Sequence, residues 1–136
     1  MSDMKKSIAI IVVCMFCFSS CDHFGDWGTI IWVENKSSIP VHFVFSETYP
    51  DTSLPKTWGY VNNLPPKDKK FAEFGRRTYN QIFKSLPADT LSLFIISSDT
   101  LAKYTWDEIK SGYKILKRYE ISKADLGKYK NTITYQ

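Results

Sequence analysis

Apolar positions in the C-terminal four-fifths of the chain recur mainly at intervals of two, the repeat of a strand with one buried face. Val41, Phe43 and Phe45 alternate with His42 and Val44, and residues 29–33 form a β-branched and aromatic run just before them. Turn-forming residues fill 34–40 between the two runs, so a β-hairpin is expected there. Residues 91–96 are almost continuously apolar, which predicts a central strand covered on both faces. Residues 113–121 predict a long strand with Tyr113, Ile115, Tyr119 and Ile121 facing inward. Shorter strands are expected over 71–74 and 131–135, and Tyr60 and Val61 predict a short extended piece.

Helical signals are brief and local. Thr78 caps an expected helix through Lys84, with Tyr79, Ile82, Phe83 and Leu86 on its inner face and Pro87 as its stop. Thr105 and Glu108 have the spacing of a capping box, in which each side chain satisfies the other residue's free backbone N–H. That box opens a helix over 106–111, ended by Gly112, with 99–104 as a connector before it. Ser122 and Asp125 repeat the spacing and predict a helical turn reaching Tyr129. Residues 46–70 carry Pro50, Pro55, Pro65 and Pro66 and predict a long loop, a candidate functional surface because loops of this length are uncommon in compact domains. No ten-residue amphipathic helix separates two strands. The expected fold is mainly β: an antiparallel β-sandwich or open barrel with short peripheral helices.

The N-terminus has a different pattern. Lys5 and Lys6 precede an uncharged apolar run of eleven residues, 8–18, followed by Ser19, Ser20 and Cys21. Such a run fits the apolar centre of a secretory signal and falls short of the ~20 residues that cross a bilayer. Two small residues before a cysteine, with Phe18 one step earlier, resemble the lipobox of bacterial lipoproteins. By that resemblance residues 1–20 are a signal peptide, and Cys21 receives lipid and becomes the mature N-terminus. Residues 21–28 are then a lipid-attached tether, of which 22–28 span about 20–25 Å when extended, and 29–136 a single β-rich domain. Multiple acyl chains, at ~0.8 kcal/mol per buried CH2, give stable anchoring. Cys14 and Cys17 leave with the signal, so no disulfide or cysteine metal site is expected in the mature chain.

Charge adds little to this picture. The whole chain carries +4, and loss of Lys5, Lys6 and Asp3 with the signal leaves +3, spread along the sequence. Together with export this argues against nucleic acid as a partner. Histidine occurs only at positions 23 and 42, and no G-x-S-x-G, H-E-x-x-H or phosphate-binding glycine loop is present. Asp107 and Glu108 point to different helix faces, while Asp51 and Asp89 suit turns, so no carboxylate pair is poised for hydrolysis. The expectation is a protein without catalytic residues, metal or cofactor. Aromatic residues make up 15% of the chain, and those in or beside loops suit stacking on sugars or anchoring a protein interface. Tyr49, Asp51, Trp58, Tyr60 and Trp106 are the candidate partner-binding residues, with Cys21 the lipidation site.

Five stretches (Tyr49-Pro-Asp-Thr-Ser-Leu-Pro55, residues 89–96, Asp99-Thr-Leu101, Trp106-Asp-Glu-Ile109 and residues 113–119) resemble small uncharacterised lipoproteins of Bacteroides-type bacteria across most of residues 30–135. That resemblance implies an envelope location, with the outer membrane favoured, and carries over no site residue. The expected function is that of a membrane-tethered β-domain binding a protein or glycan partner. An immunity or inhibitor lipoprotein acting on a toxin or hydrolase is the alternative, and a small carboxylate-based hydrolase a third reading.

Overall fold

A computed structural model describes residues 30–57 and 61–136. The expected signal, Cys21 and the expected tether, and Trp58 and Tyr60 in the long loop, lie outside the described residues. Within them the elements follow in the order β1 (Trp32–Asn35), β2 (Val41–Ser46), β3 (Asn62–Leu64), β4 (Lys69–Phe71), α1 (Tyr79–Ser85), β5 (Thr90–Ser97), α2 (Ser98–Lys103), α3 (Trp106–Ser111), β6 (Lys117–Ser122), α4 (Lys123–Lys128) and β7 (Thr132–Tyr135). The fold is mainly β and sandwich-like, without a closed barrel. One sheet has the order β4-β1-β7 and the other β3-β2-β5-β6. Pairing is antiparallel throughout except between β1 and β7, which run parallel.

The two sheets share one core. Ile31, Val33 and Ile133 from the three-stranded sheet meet Val41, Phe43, Leu64, Leu91, Leu93, Ile95 and Ile121 from the other, and α1 and α4 add Tyr79, Phe83 and Leu126. A second cluster lies on the far face of the four-stranded sheet. There Val44, Phe94 and Ile96 are covered by Leu54 and Ile109, with Leu101, Tyr104, Trp106 and Ile115 packed around them. β5 is therefore buried on both sides, as its unbroken apolar run predicts, and each such side chain contributes about 1.5–3 kcal/mol by leaving water. The order of layers is three-stranded sheet, four-stranded sheet, then a cap of loop and short helices.

Capping predicts the helices well. Thr78 and Gln81, Thr105 and Glu108, and Ser122 and Asp125 form reciprocal capping boxes at α1, α3 and α4. Gly75 lies in a turn between β4 and α1, with φ at +68°. Several expectations change. The runs expected at 29–33 and 41–45 supply β1, over Trp32–Asn35, and β2, yet these enter different sheets and form no hairpin. The cause is Asn35, fully buried: its Nδ2 donates to the carbonyls of Ile39 (2.8 Å), Leu64 (3.2 Å) and Pro65 (3.1 Å), and its Oδ1 accepts from the N–H and Oγ of Ser37. These bonds carry the chain from one sheet to the other. The 99–104 connector is mostly helix, because the Ser97 hydroxyl accepts from Thr100 N–H at 3.0 Å and caps α2. The long strand over 113–121 begins only at Lys117. Tyr113 has φ +47° and is exposed, Lys114 N–H donates back to the Ile109 carbonyl, and Ile115 packs on the far face while Tyr119 and Ile121 face the shared core. Strand 71–74 shifts to 69–71, and the 46–70 segment contains β3 and the start of β4.

Candidate functional site

The loop after β2 is fastened to the domain at successive points. Glu47 makes a bidentate ion pair with Arg77, and Ser46 Oγ lies 2.9 Å from Thr48 Oγ1. Asp51 N–H donates to the Thr48 carbonyl at 2.8 Å, closing a turn that contains the cis Tyr49–Pro50 peptide. Asp51 then organises the following turn: Oδ1 accepts from Ser53 N–H and Oδ2 from the Ser53 hydroxyl, both at 2.9 Å. These two bonds stabilise the carboxylate and hold its pKa below the ordinary value, although Asp51 itself is exposed. Leu54 turns inward and is buried against the far face of the four-stranded sheet.

Helix α3 supplies the second wall. Its capping box positions Trp106 at the first helical residue, where the ring packs into the far-face cluster and Nε1 donates to the Pro55 carbonyl at 3.0 Å. An aromatic with an apolar body and a polar tip is suited to this boundary position. Beside it, the half-buried ring of Tyr104 lies near two ammonium groups, Lys103 Nζ at 5.3 Å and Lys114 Nζ at 4.5 Å from its centroid. Hydrogen bonds from the Thr105 backbone and hydroxyl lower the Glu108 pKa, consistent with a capping carboxylate. Of the expected partner-binding residues, Tyr49 and Asp51 lie on the loop, Tyr49 half-buried and Asp51 exposed, and Trp106 is half-buried and bonded to the loop at Pro55. Trp58 and Tyr60 lie outside the described residues.

Catalytic groupings are sparse by comparison. His42 Nδ1 lies 3.2 Å from Ser98 Oγ, a nucleophile–base pair by residue type. Burial and then the nearby Lys70 charge lower its pKa, favouring neutral imidazole. A hydrolytic triad orients its base with a carboxylate, whereas the charged neighbour here is a lysine; the bond serves to fasten α2 to β2. Among the described residues no group of three histidine, cysteine or acidic side chains is arranged to hold a metal ion, and no helix is long and apolar enough to cross a membrane. An open depression between α1 and α4, lined by Asn80, Lys84, Asp89, Ser122 and Lys123 among others, has Lys123 Nζ already engaged with Asn80 Oδ1 at 2.6 Å.

Sequence reasoning missed a second surface, the outer face of the three-stranded sheet. Pairing registers place Trp32 beside Phe71 and Thr132, and Glu34 beside Lys69 and Thr134. Trp32 and Phe71 meet edge to face with centroids 5.9 Å apart, and Lys69 Nζ sits 5.0 Å over the Trp32 ring. The alternation of residues 30–35 carries this signal, with Ile31, Val33 and Asn35 inside and Ile30, Trp32 and Glu34 outside. Comparison with protein-family models, curated proteins and solved structures returns no match to the chain.

Proposed function

We propose that this chain is a lipid-anchored envelope protein whose domain is non-catalytic and binds a protein or glycan partner through the 46–57 loop and the α3 end. The observation that supports the binding reading is the way the loop is built. It is exposed at Asp51 and half-exposed at Tyr49, yet fixed by the Glu47–Arg77 pair, the Asp51 turn, buried Leu54 and the Trp106–Pro55 hydrogen bond. A surface fixed before binding loses less conformational entropy on association, which is the physical advantage of preorganisation. Aromatic faces beside an ordered carboxylate suit both sugar stacking and protein anchoring.

The two halves of the proposal have separate tests. Metabolic labelling with a fatty acid should mark the wild-type chain and leave Cys21→Ser unlabelled; equal labelling of both would refute anchoring at Cys21. Affinity capture from intact membranes should recover one specific protein, or a glycan array one sugar class, with recovery lost on Tyr49→Ala or Trp58→Ala. Capture of a toxin or hydrolase, with protection of cells against it, would identify the inhibitor form of the same binding role. Recovery unchanged in both variants would remove the loop from the interface.

A further inference from the structure

We propose that the outer face of the three-stranded sheet is a membrane-docking face that rests on the lipid surface holding the chain. Four observations place it there. Ile30, two residues before β1, and Phe71 in β4 are 50% and 47% exposed, a large apolar exposure for one sheet face. Between them Trp32 packs edge-on against Phe71, and Lys69 extends over the indole to reach Thr132 Oγ1 at 3.1 Å. An indole and an aliphatic side chain, with a lysine ammonium lying over the ring, form a mixed apolar and cationic surface of the kind that settles at a bilayer interface, where apolar bodies meet the acyl boundary and cations meet phosphate. Glu34, the acidic residue at a paired position on this face, has its charge engaged by Lys36 at 3.6 Å and by the Thr134 hydroxyl at 3.2 Å.

The position of the chain identifies the occupant. Ile30, the first described residue, is part of this apolar surface, and only residues 22–29 separate it from Cys21. Fully extended, those residues reach about 30 Å, whereas a domain of this size has a radius of gyration of about 13 Å. The tether is therefore no longer than the domain is wide. Trp32 N–H bonds to the Asn131 carbonyl at 2.7 Å, which brings Lys130 and the exposed Tyr129 to the same end. Anchoring also makes docking intramolecular, so a small contact suffices at the high effective concentration a short tether imposes. This inference rests on lipid attachment at Cys21.

With the proposed processing, Cys14 and Cys17 leave with residues 1–20 and the Cys21 thiol carries lipid, so an introduced cysteine is labelled alone. Mature protein purified from expressing cells and carrying Phe71→Cys, and separately Thr52→Cys in the distal loop, would be spin-labelled in liposomes of phosphatidylglycerol and phosphatidylethanolamine. The label at position 71 should show an oxygen-to-nickel-chelate accessibility ratio several-fold above that at 52. Vesicle flotation, read in the same samples, reports anchoring independently. Protein that floats while position 71 remains as water-accessible as position 52 overturns the docking face and leaves the anchor standing. Protein that does not float overturns both. Dipolar broadening between labels at position 71 would assign the face to a second copy of the chain instead. Circular dichroism of the exposed Phe71→Cys variant confirms that it is folded.

Discussion

Asn35 shows how much one side chain can decide. Its amide satisfies three carbonyls from two separate segments, at zero exposure. Asn35→Ala should cost about 2–3 kcal/mol, since it strands buried acceptors as well as losing bonds; urea denaturation would measure it. Ser92 is its opposite. Its hydroxyl is buried without a hydrogen-bond partner, so Ser92→Ala should be neutral or stabilise by up to about 1 kcal/mol, read in the same denaturation experiment. Neither role was legible beforehand. Asn35 looked like an ordinary turn residue because its partners, Leu64 and Pro65, lie about thirty positions away, and Ser92 was one polar letter in an apolar strand.

Elements show the reverse balance, because their determinants are local. Capping boxes at Thr105 and Ser122 were visible from three-residue spacing, Thr78 was legible as a cap without its partner Gln81, and all three open helices where expected. Thr105→Ala should destabilise by about 1 kcal/mol, the usual cost of losing a cap. It should also alter the pH dependence. Glu108 titrates below its ordinary 4.5 in the folded chain because Thr105 hydrogen-bonds its charged form. The unfolded chain therefore takes up the proton first, so the cap contributes fully above pH 4.5 and is lost as pH falls through the lower folded value. Thermal melts across pH 3 to 6 should show this acid loss partly reduced in Thr105→Ala, which removes the hydroxyl bond and keeps the larger backbone N–H contribution; an unchanged slope would mean that the hydroxyl bond does not favour the carboxylate. What spacing could not supply was pairing. Residues 29–33 and 41–45 were both legible as strands, but assignment to different sheets depends on burial of Asn35. Likewise the alternation at 113–116 was overridden by the turn that follows Gly112.

At the scale of the whole molecule, the layers give the domain two unlike sides. The apolar sheet face carries Ile30, Trp32 and Phe71, and the loop-and-helix cap on the far side of the four-stranded sheet carries Leu54 and Trp106. The loop was legible as a surface from its prolines, but Trp106 as its clamp was not, because the bond to Pro55 spans 51 positions. Trp106→Phe should keep most of the packing while losing about 1 kcal/mol of hydrogen bonding. Amide exchange over 51–55 should accelerate, and partner recovery should fall with it. Unaltered exchange would show that buried Leu54, the Asp51 turn and the Glu47–Arg77 pair hold the loop without the indole bond.

The parallel pairing of β1 with β7 has a mechanical consequence. The first and last strands are bonded side by side, from Trp32 N–H to the Asn131 carbonyl at one end and from Lys36 N–H to the Tyr135 carbonyl at the other, both at 2.7 Å. Tension applied at residue 30 and opposed at residue 136 pulls the strands along one another, loading the intervening hydrogen bonds together in shear instead of opening them singly. Single-molecule extension between the ends should therefore meet a distinct force peak before any other element yields, and Ile133→Pro, which removes an N–H from β7, should lower it. A domain held from its N-terminus would then resist a pull from its C-terminus with its terminal strands acting as the clasp.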